Sequence, residues 1–430
     1  MRSKAISLDF QKQRTDYLTH GFHSFAARFP PQLPRLAIEW HMKNAGFVLD
    51  PMCGSGTTLV EARLLGRDSL GIDIDPLARL LTRVKVTALD EFELLSAKKS
   101  LIENLAEDFA PGPCAQGSSA LKGAPAVALP EYLDKDWVTY WFLRPVASEL
   151  SLVKRRIDEE KDQALREFFY VCFSSIILTK GSSGVSCARD LAHSRPHRVL
   201  PARKPNVLKI FMERLESMTK RMIEYNKACH KEVMAEIIGQ DARHIPLADQ
   251  SVDLIVTSPP YATAIDYLRA HKFSLYWLGF DPNILSIFER QGYIGTEKVP
   301  KEDCQRRLET PLGHPVADRT LRQIAEKDVK RAGILHKYFE DMRLVIGEMY
   351  RVLKKRKYCW IVIGDPSAKQ VRIPTTRILI NFAKSSGFDC IHILPRRLDR
   401  DKRQLPTNHV GPNKGIENRI FREDVVILRK

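Results

Sequence analysis

The stretch Thr257-Ser258-Pro259-Pro260-Tyr261 combines a hydroxyl, a rigid double-proline corner and an aromatic ring. The Ser258 oxygen and the carbonyls of Pro259 and Pro260 can accept hydrogen bonds from an amino group, and Tyr261 can stack on a flat ring. The apolar run from Val252 to Val256 reads as a buried strand of a parallel sheet. Neither proline has an N–H for a strand ladder, so the chain must leave the sheet there in a stiff, extended loop. In open α/β sheets, ligands bind at that carboxyl end of a strand. The plain alternative is a proline-stiffened surface turn with a packing tyrosine. What precedes it in the chain argues for chemistry.

Phe47-Val48-Leu49-Asp50 reads as a short buried strand running into Pro51-Met52-Cys53-Gly54-Ser55-Gly56-Thr57-Thr58, with a helical pattern from Leu59 to Leu65. Strand, glycine loop and helix open a nucleotide-binding α/β unit, because Gly54 and Gly56 permit a tight turn and close approach of backbone to a ligand. The loop lacks both the three-glycine dinucleotide pattern and the Gly-Lys-Ser/Thr of a phosphate loop, which disfavours a phosphate cradle. A second strand ends at Gly71-Ile72-Asp73-Ile74-Asp75. An acid there can accept from both hydroxyls of a ribose; Asp73 is the better placed and Asp75 the runner-up. A third strand, Ile237-Ile238-Gly239-Gln240-Asp241, ends in an acid that can accept from an adenine amino group. Each acid alone is more often a turn residue or helix cap; three in series, each after a strand, point to a ligand. Upstream, His23-Ser24-Phe25-Ala26-Ala27-Arg28-Phe29-Pro30-Pro31 precedes a helix over 34–44. Phe29 and its neighbours are candidates for one wall of a cofactor pocket, with an N-terminal packing cap as the alternative.

The 430-residue chain is 44% hydrophobic and carries a formal net charge of +16. It is long enough for two or three domains, and its charge favours a polyanionic partner. Its eight cysteines show no CxxC pair and no Cys/His cluster at zinc spacing. No metal is expected, and a reducing compartment fits best. No signal peptide and no apolar run of about 18 residues is present, so a cytoplasmic protein without membrane contact is expected.

These motifs divide the chain into 1–90 with the glycine loop, 91–234 as a mainly helical insertion, and 235–430 with the Ser258 loop. Within the insertion, 111–130 reads as a flexible loop, while 137–143 and 165–179 carry large apolar residues at helical spacing and read as core. A basic run follows, with Arg189, His193, Arg195, His197, Arg198, Arg203, Lys204 and Lys209 opposed only by Asp190. It is the candidate phosphate-tracking loop, with Arg189, Arg195, Arg198, Arg203 and Lys204 as nucleic-acid contacts. Beyond the Ser258 loop a helix begins at 265, where Asp266, Tyr267, Arg269 and His271 are candidates for the target side. The polar segment 281–335 is a second candidate recognition surface. A helix over 338–353, a strand over 358–364, a helix over 376–386 and strands over 389–394 and 425–428 complete the chain, and 396–403 is a charged loop, solvated or touching phosphate.

With these elements in place, the chain resembles the S-adenosylmethionine-dependent DNA amino-methyltransferases. The Asp50–Thr57 loop resembles that family's methionine-binding motif, Gly71–Asp75 its ribose motif, Asp253–Tyr261 its catalytic motif, and His23–Pro31 the motif that closes over the methionine end. The resemblance implies an α/β Rossmann-like methyltransferase fold, a mostly parallel seven-stranded sheet with an antiparallel last strand. It implies S-adenosyl-L-methionine as cofactor, held by Phe29, Asp50, Pro51, Cys53, Gly54, Ser55, Gly56, Thr57, Asp73 and Asp241. Cys53 is expected only to pack. Ser258, Pro259, Pro260 and Tyr261 are the implied catalytic residues, acting on a base flipped out of double-stranded DNA. Ser before Pro-Pro-Tyr is typical of family members that methylate N4 of cytosine; Asp or Asn is more typical of those that methylate N6 of adenine. Adenine N6, an RNA amino group, and an inactive nucleic-acid-binding module remain the alternatives. No stretch resembles a nuclease motif, so any restriction cleavage would fall to a separate cognate endonuclease.

Overall fold

The computed structural model of the chain describes residues 7–11, 13–25, 28–110, 129–177, 185–189, 197–201, 203–262, 267–280, 292–398 and 422–430. Seven strands form one sheet: β1 (Phe47–Asp50), β2 (Asp68–Ile72), β3 (Ala235–Gly239), β4 (Val252–Thr257), β5 (Leu353–Gly364), β6 (Asp389–Arg397) and β7 (Arg422–Arg429). Their spatial order is β6-β7-β5-β4-β1-β2-β3. Strands β3, β2, β1, β4 and β5 pair in parallel, and β7 runs antiparallel to both β5 and β6. The chain therefore reverses direction across the sheet between β1 and β4, the position where this class of sheet binds ligands. The fold is the expected Rossmann-like α/β architecture. Its last strand does not close an edge, however; it slots between β5 and β6.

The strands alternate inward and outward, as a period of two demands. Val48, Leu254, Val256, Val362 and Val425 face one side, where they meet Leu33, Ala37 and Ile38 of α1 (Gln32–His41) and Ala62 of α2 (Thr57–Leu64). Leu49, Ile255, Ile361, Ile363 and Val426 face the other, against α12 (Val329–Val352) and α13 (Thr375–Ser386). Every residue of β4 is buried, which fits its largely apolar sequence; the one charge in it, Asp253, pairs with Lys354 and Lys357.

Between β2 and β3 come α3 (Pro76–Val86) and the helices α4 (Glu91–Asp108), α5 (Lys135–Trp141), α6 (Arg144–Asp158), α7 (Gln163–Ile177) and α8 (Val207–Ala228). Leu150, Phe168, Phe173, Phe211 and Met222 from these helices share a core with Leu59, Leu77 and Leu81 of α2 and α3. The helical insertion is thus packed directly on the cofactor-motif side of the sheet. Helix α9 (Tyr267–Trp277) follows β4 and buries Phe273 and Trp277 in that same core. Helices α10 (Lys301–Glu309) and α11 (Pro315–Ala325) pack on α12.

Candidate active site

The glycine loop between β1 and α2 has the geometry its sequence requires. Gly54 and Gly56 take φ of +53° and +77°, in the left-handed region. A Cβ on Gly54 would lie 3.2 Å from the Phe25 ring, and one on Gly56 would lie 2.8 Å from Thr82 Oγ1. Asp50 is buried beneath the loop, where Thr58 Oγ1 donates to its Oδ2 at 2.6 Å and Met52 N–H to its Oδ1 at 3.2 Å. Burial pushes its carboxyl up to about 6. Burial also pushes the Cys53 thiol well up, leaving it a small packing group rather than a nucleophile.

Asp73 leaves β2 directly behind this loop. Its Oδ2 accepts from Gly54 N–H at 2.8 Å and its Oδ1 from Asp75 N–H at 2.9 Å. Burial, followed by the charge of Asp75, pushes the Asp73 carboxyl up to about 7 despite those two bonds. Asp75 is occupied elsewhere: its Oδ1 caps α3 through Leu77 N–H and Ala78 N–H, and its Oδ2 lies 2.5 Å from His271 Nδ1. The two acids, both of which line the same cleft, therefore differ in their partners: Asp73 accepts from the glycine loop, and Asp75 caps a helix and meets His271. Asp241 stands two residues beyond the end of β3, not at its end as the sequence suggested. Burial works against its charge, but hydrogen bonds from Arg243 dominate and hold it below the usual carboxylate range.

These elements line one cleft, at the carboxyl ends of the parallel strands where such sheets bind ligands. Of the residues expected to hold a cofactor, Phe29, Pro51, Cys53, Gly54, Ser55, Thr57, Asp73 and Asp241 line it, and Ser258 and Pro260 line the same space. Asp50 and Gly56 do not; they shape the loop from behind. The lining also includes residues outside the expected cofactor-holding set, although Phe25, Arg28 and Ile74 lie within the motifs that resemble the family's and Tyr267 was a candidate for the target side. Phe25 and Arg28 come from the stretch before α1, Ile74 from behind Asp73, and Tyr267 from α9. Gly292, Tyr293 and Ile294 come from the polar segment 281–335, whose weak periodicity gave no sign of a cleft wall. Arg28 is the one cation among these described lining residues. His271 is buried at 3% exposure and braces Asp75 and Phe25, so it does not face a target base. Asp266 lies outside the described residues, as does the side chain of Arg269.

The Ser258 loop is tied down at both ends. Ser258 Oγ donates to the Val362 carbonyl of β5 at 3.1 Å, and the Tyr261 hydroxyl donates to Glu423 Oε1 of β7. Pro259 and Tyr261 stand outside the cleft lining, beside Ser258 and Pro260. Arg396, expected in a solvated or phosphate-touching loop, is instead buried on β6 and donates to Glu423 Oε2 at 2.6 Å. Residues 399–403 of that loop lie outside the described residues.

The basic run is only partly described. Arg189 and His197 pair in a two-residue antiparallel ladder, which also pairs Ala188 with Arg198. Arg198 is exposed, donates to the Tyr140 carbonyl at 2.6 Å and covers the Tyr140 ring at 5.1 Å. Arg203 is exposed. Lys204 pairs with Glu149 of α6, so Asp190 is not the only acid opposing this run. His193 and Arg195 lie outside the described residues, as do 111–128 and 281–291. Among the described residues, no cluster of His, Cys, Asp and Glu is placed to hold a metal, and no helix is long and apolar enough to cross a membrane.

Comparison with known proteins bears on the same two loops. Residues 7–80 and 252–396, half of the chain, match the N6/N4 methyltransferase family model described as DNA methylase. The chain is 25% identical over 424 residues to the Type II methyltransferase M.MvaI of Kocuria varians, covering 94% of this chain and 90% of that protein. It is 22% identical over 341 residues to the Type II methyltransferase M.MjaII of Methanocaldococcus jannaschii, covering 63% of this chain and 64% of that protein. Among solved structures, a SAM-dependent methyltransferase of Methanosarcina mazei aligns over 91% of this chain and 96% of its own at 11% identity, with a TM-score of 0.31, too low to carry an inference. The matched blocks contain the glycine loop with Asp73, the Ser258 loop and the β5 strand that accepts from Ser258, and on that match the chain belongs to the N6/N4 DNA methylase family, whose methyl donor is S-adenosylmethionine.

Proposed function

We propose that this methylase transfers its methyl group to the exocyclic N4 of cytosine, in a base turned out of double-stranded DNA. One observation carries the reading: Ser258 Oγ donates its single proton to the Val362 carbonyl. A hydroxyl so committed has only lone pairs left to offer, so toward an amino group it acts as an acceptor. An exocyclic amine is a poor nucleophile because its lone pair is delocalised into the ring. Hydrogen bonds accepted by Ser258 Oγ and the Pro259 carbonyl favour a pyramidal nitrogen and free that pair. Pro259 and Pro260 hold these acceptors without reorganisation, so the rate comes from positioning and fixed dipoles. Tyr261 stacks on the flipped base.

The cleft fits the donor. Asp73 would accept from its ribose hydroxyls and Asp241 from its adenine amino group. Arg28 would meet its carboxylate, while Phe29 and Ile74 cover its apolar parts. When bound, the donor supplies a methyl group activated by the sulfonium charge. The Ser at 258 supports cytosine over adenine, in line with the family pattern in which Ser precedes Pro-Pro-Tyr in N4-cytosine enzymes. The relatives M.MvaI and M.MjaII are named Type II methyltransferases; by that likeness the proposal includes a cognate endonuclease as a separate protein and a cytoplasmic location.

The test is expression in a methylation-free bacterial host, with the genome sequenced for modified bases beside a Tyr261→Ala control. N4-methylcytosine at one motif, absent from the control, is the expected result. N6-methyladenine at one motif would overturn the base assignment and leave the mechanism. No DNA modification in a protein that still binds the donor would overturn the DNA reading and turn attention to RNA.

A further inference from the structure

We infer that Glu423 and Arg396 are positioning residues that orient Tyr261 against the target base, a role that rests on the stacking assigned to Tyr261 above. The chain separates these groups widely, and the sheet reunites them. Glu423 of β7 and Arg396 of β6 are direct cross-strand partners, and Glu423 also faces Gly364 of β5. The Tyr261 hydroxyl donates to Glu423 Oε1. Arg396 Nη1 donates to Glu423 Oε2 at 2.6 Å, and Arg396 Nε donates to the Leu8 carbonyl at 3.2 Å. The Arg396 and Glu423 side chains are 7% and 4% exposed. Both carboxylate oxygens and two guanidinium nitrogens are thereby engaged, the condition under which a buried ion pair is tolerated.

The geometry explains why such a pair would sit there. A buried ion pair adds little net stability, because desolvation cancels much of the attraction. It does hold a fixed acceptor at the far end of the Tyr261 ring. A tyrosine ring has two free torsions, and a hydrogen bond at its hydroxyl restrains both. Ser258 is bonded to Val362 of β5 two positions before Gly364, so one sheet region braces both the proposed amine acceptor and the stacking ring. A phenol donating to a carboxylate also has a more electron-rich ring, which favours a stacked base gaining positive charge as its amino nitrogen takes the methyl group.

The experiment measures single-turnover methylation of unmethylated bacterial genomic DNA with tritium-labelled donor at saturation. It compares wild type, Tyr261→Phe, Glu423→Gln, the double variant and Tyr261→Ala, with donor-analogue and DNA affinities measured separately. Tyr261→Phe leaves the Glu423–Arg396 pair intact, so it reads the tether even if Glu423→Gln folds poorly. The expected result is a rate about tenfold lower in each of Tyr261→Phe and Glu423→Gln, with donor affinity unchanged and the double variant no slower than either single. A wild-type rate for Tyr261→Phe, or multiplying losses in the double variant, would overturn the inference. If Tyr261→Ala also keeps the full rate, the stacking role itself fails; if only Tyr261→Phe does, the tether alone fails.

Discussion

Asp73 shows how a buried side chain can carry a strongly raised carboxyl pKa next to its acidic neighbours. It accepts two backbone N–H bonds, yet burial and Asp75 raise its carboxyl to about 7. The groups facing it are Asp75 and Asp50, both acidic, with the Arg79 guanidinium given to the carbonyls of Asp73 and Ile74. Because its folded value lies above its unfolded one, the stability it contributes is present in acid and lost as pH rises toward about 7. An Asp73→Asn variant, melted without donor, should therefore gain thermal stability over wild type at pH 8 and show no gain at pH 4. The same variant should bind a donor analogue at least about tenfold more weakly at pH 8, where the carboxylate would otherwise meet the ribose. A stability gap that does not change with pH would show that Asp73 is not the group titrating.

At the scale of elements, the glycine loop and the strand ends decide where that chemistry sits. Helix α2 starts at Thr57, two residues before the sequence pattern suggested, because Gly56 in the left-handed region turns the chain straight into it. Gly56→Ala meets two obstacles, a positive φ and a Cβ 2.8 Å from Thr82 Oγ1. It should cost about 1–3 kcal/mol in a denaturant melt and weaken donor binding. A fully stable Gly56→Ala protein would mean the loop relaxes without loss. Helix α12 begins at Val329, nine residues earlier than its apolar periodicity indicated, because Asp328 caps it through Arg331 N–H. Its first turns pack on α10, a contact that local periodicity does not contain.

Across the whole molecule, net charge and topology act together. A formal charge of +16 favours DNA, so affinity should fall steeply with salt. Some of the cations are committed to ion pairs within the fold and are less available to phosphates: Lys204 with Glu149, Arg396 with Glu423, and Arg243 with Asp241 and Asp341. Arg198 and Arg203 stay exposed. An Arg198→Glu, Arg203→Glu variant should lower DNA affinity about tenfold or more and reduce the log–log salt slope by about 2, with donor affinity unchanged. An unchanged slope would remove both residues from the phosphate-contacting surface.

The sequence by itself determined the strands, the glycine loop, the acid behind it and the Ser258 loop, because each is a local pattern. Buried strands read as apolar runs, and glycines and prolines mark where backbone must turn. Both Asp73 and Asp75 line the cleft, and the tertiary structure alone decided their partners: a glycine-loop N–H for Asp73, a helix start and His271 for Asp75. It alone placed β7 between β5 and β6 and so brought Glu423 to Tyr261 across 162 residues of chain. It alone turned Arg396 from a solvated charge into a buried partner. Pairings between distant strands carry no signature in the spacing of neighbouring residues, because their energy comes from surfaces that meet only after the sheet has formed.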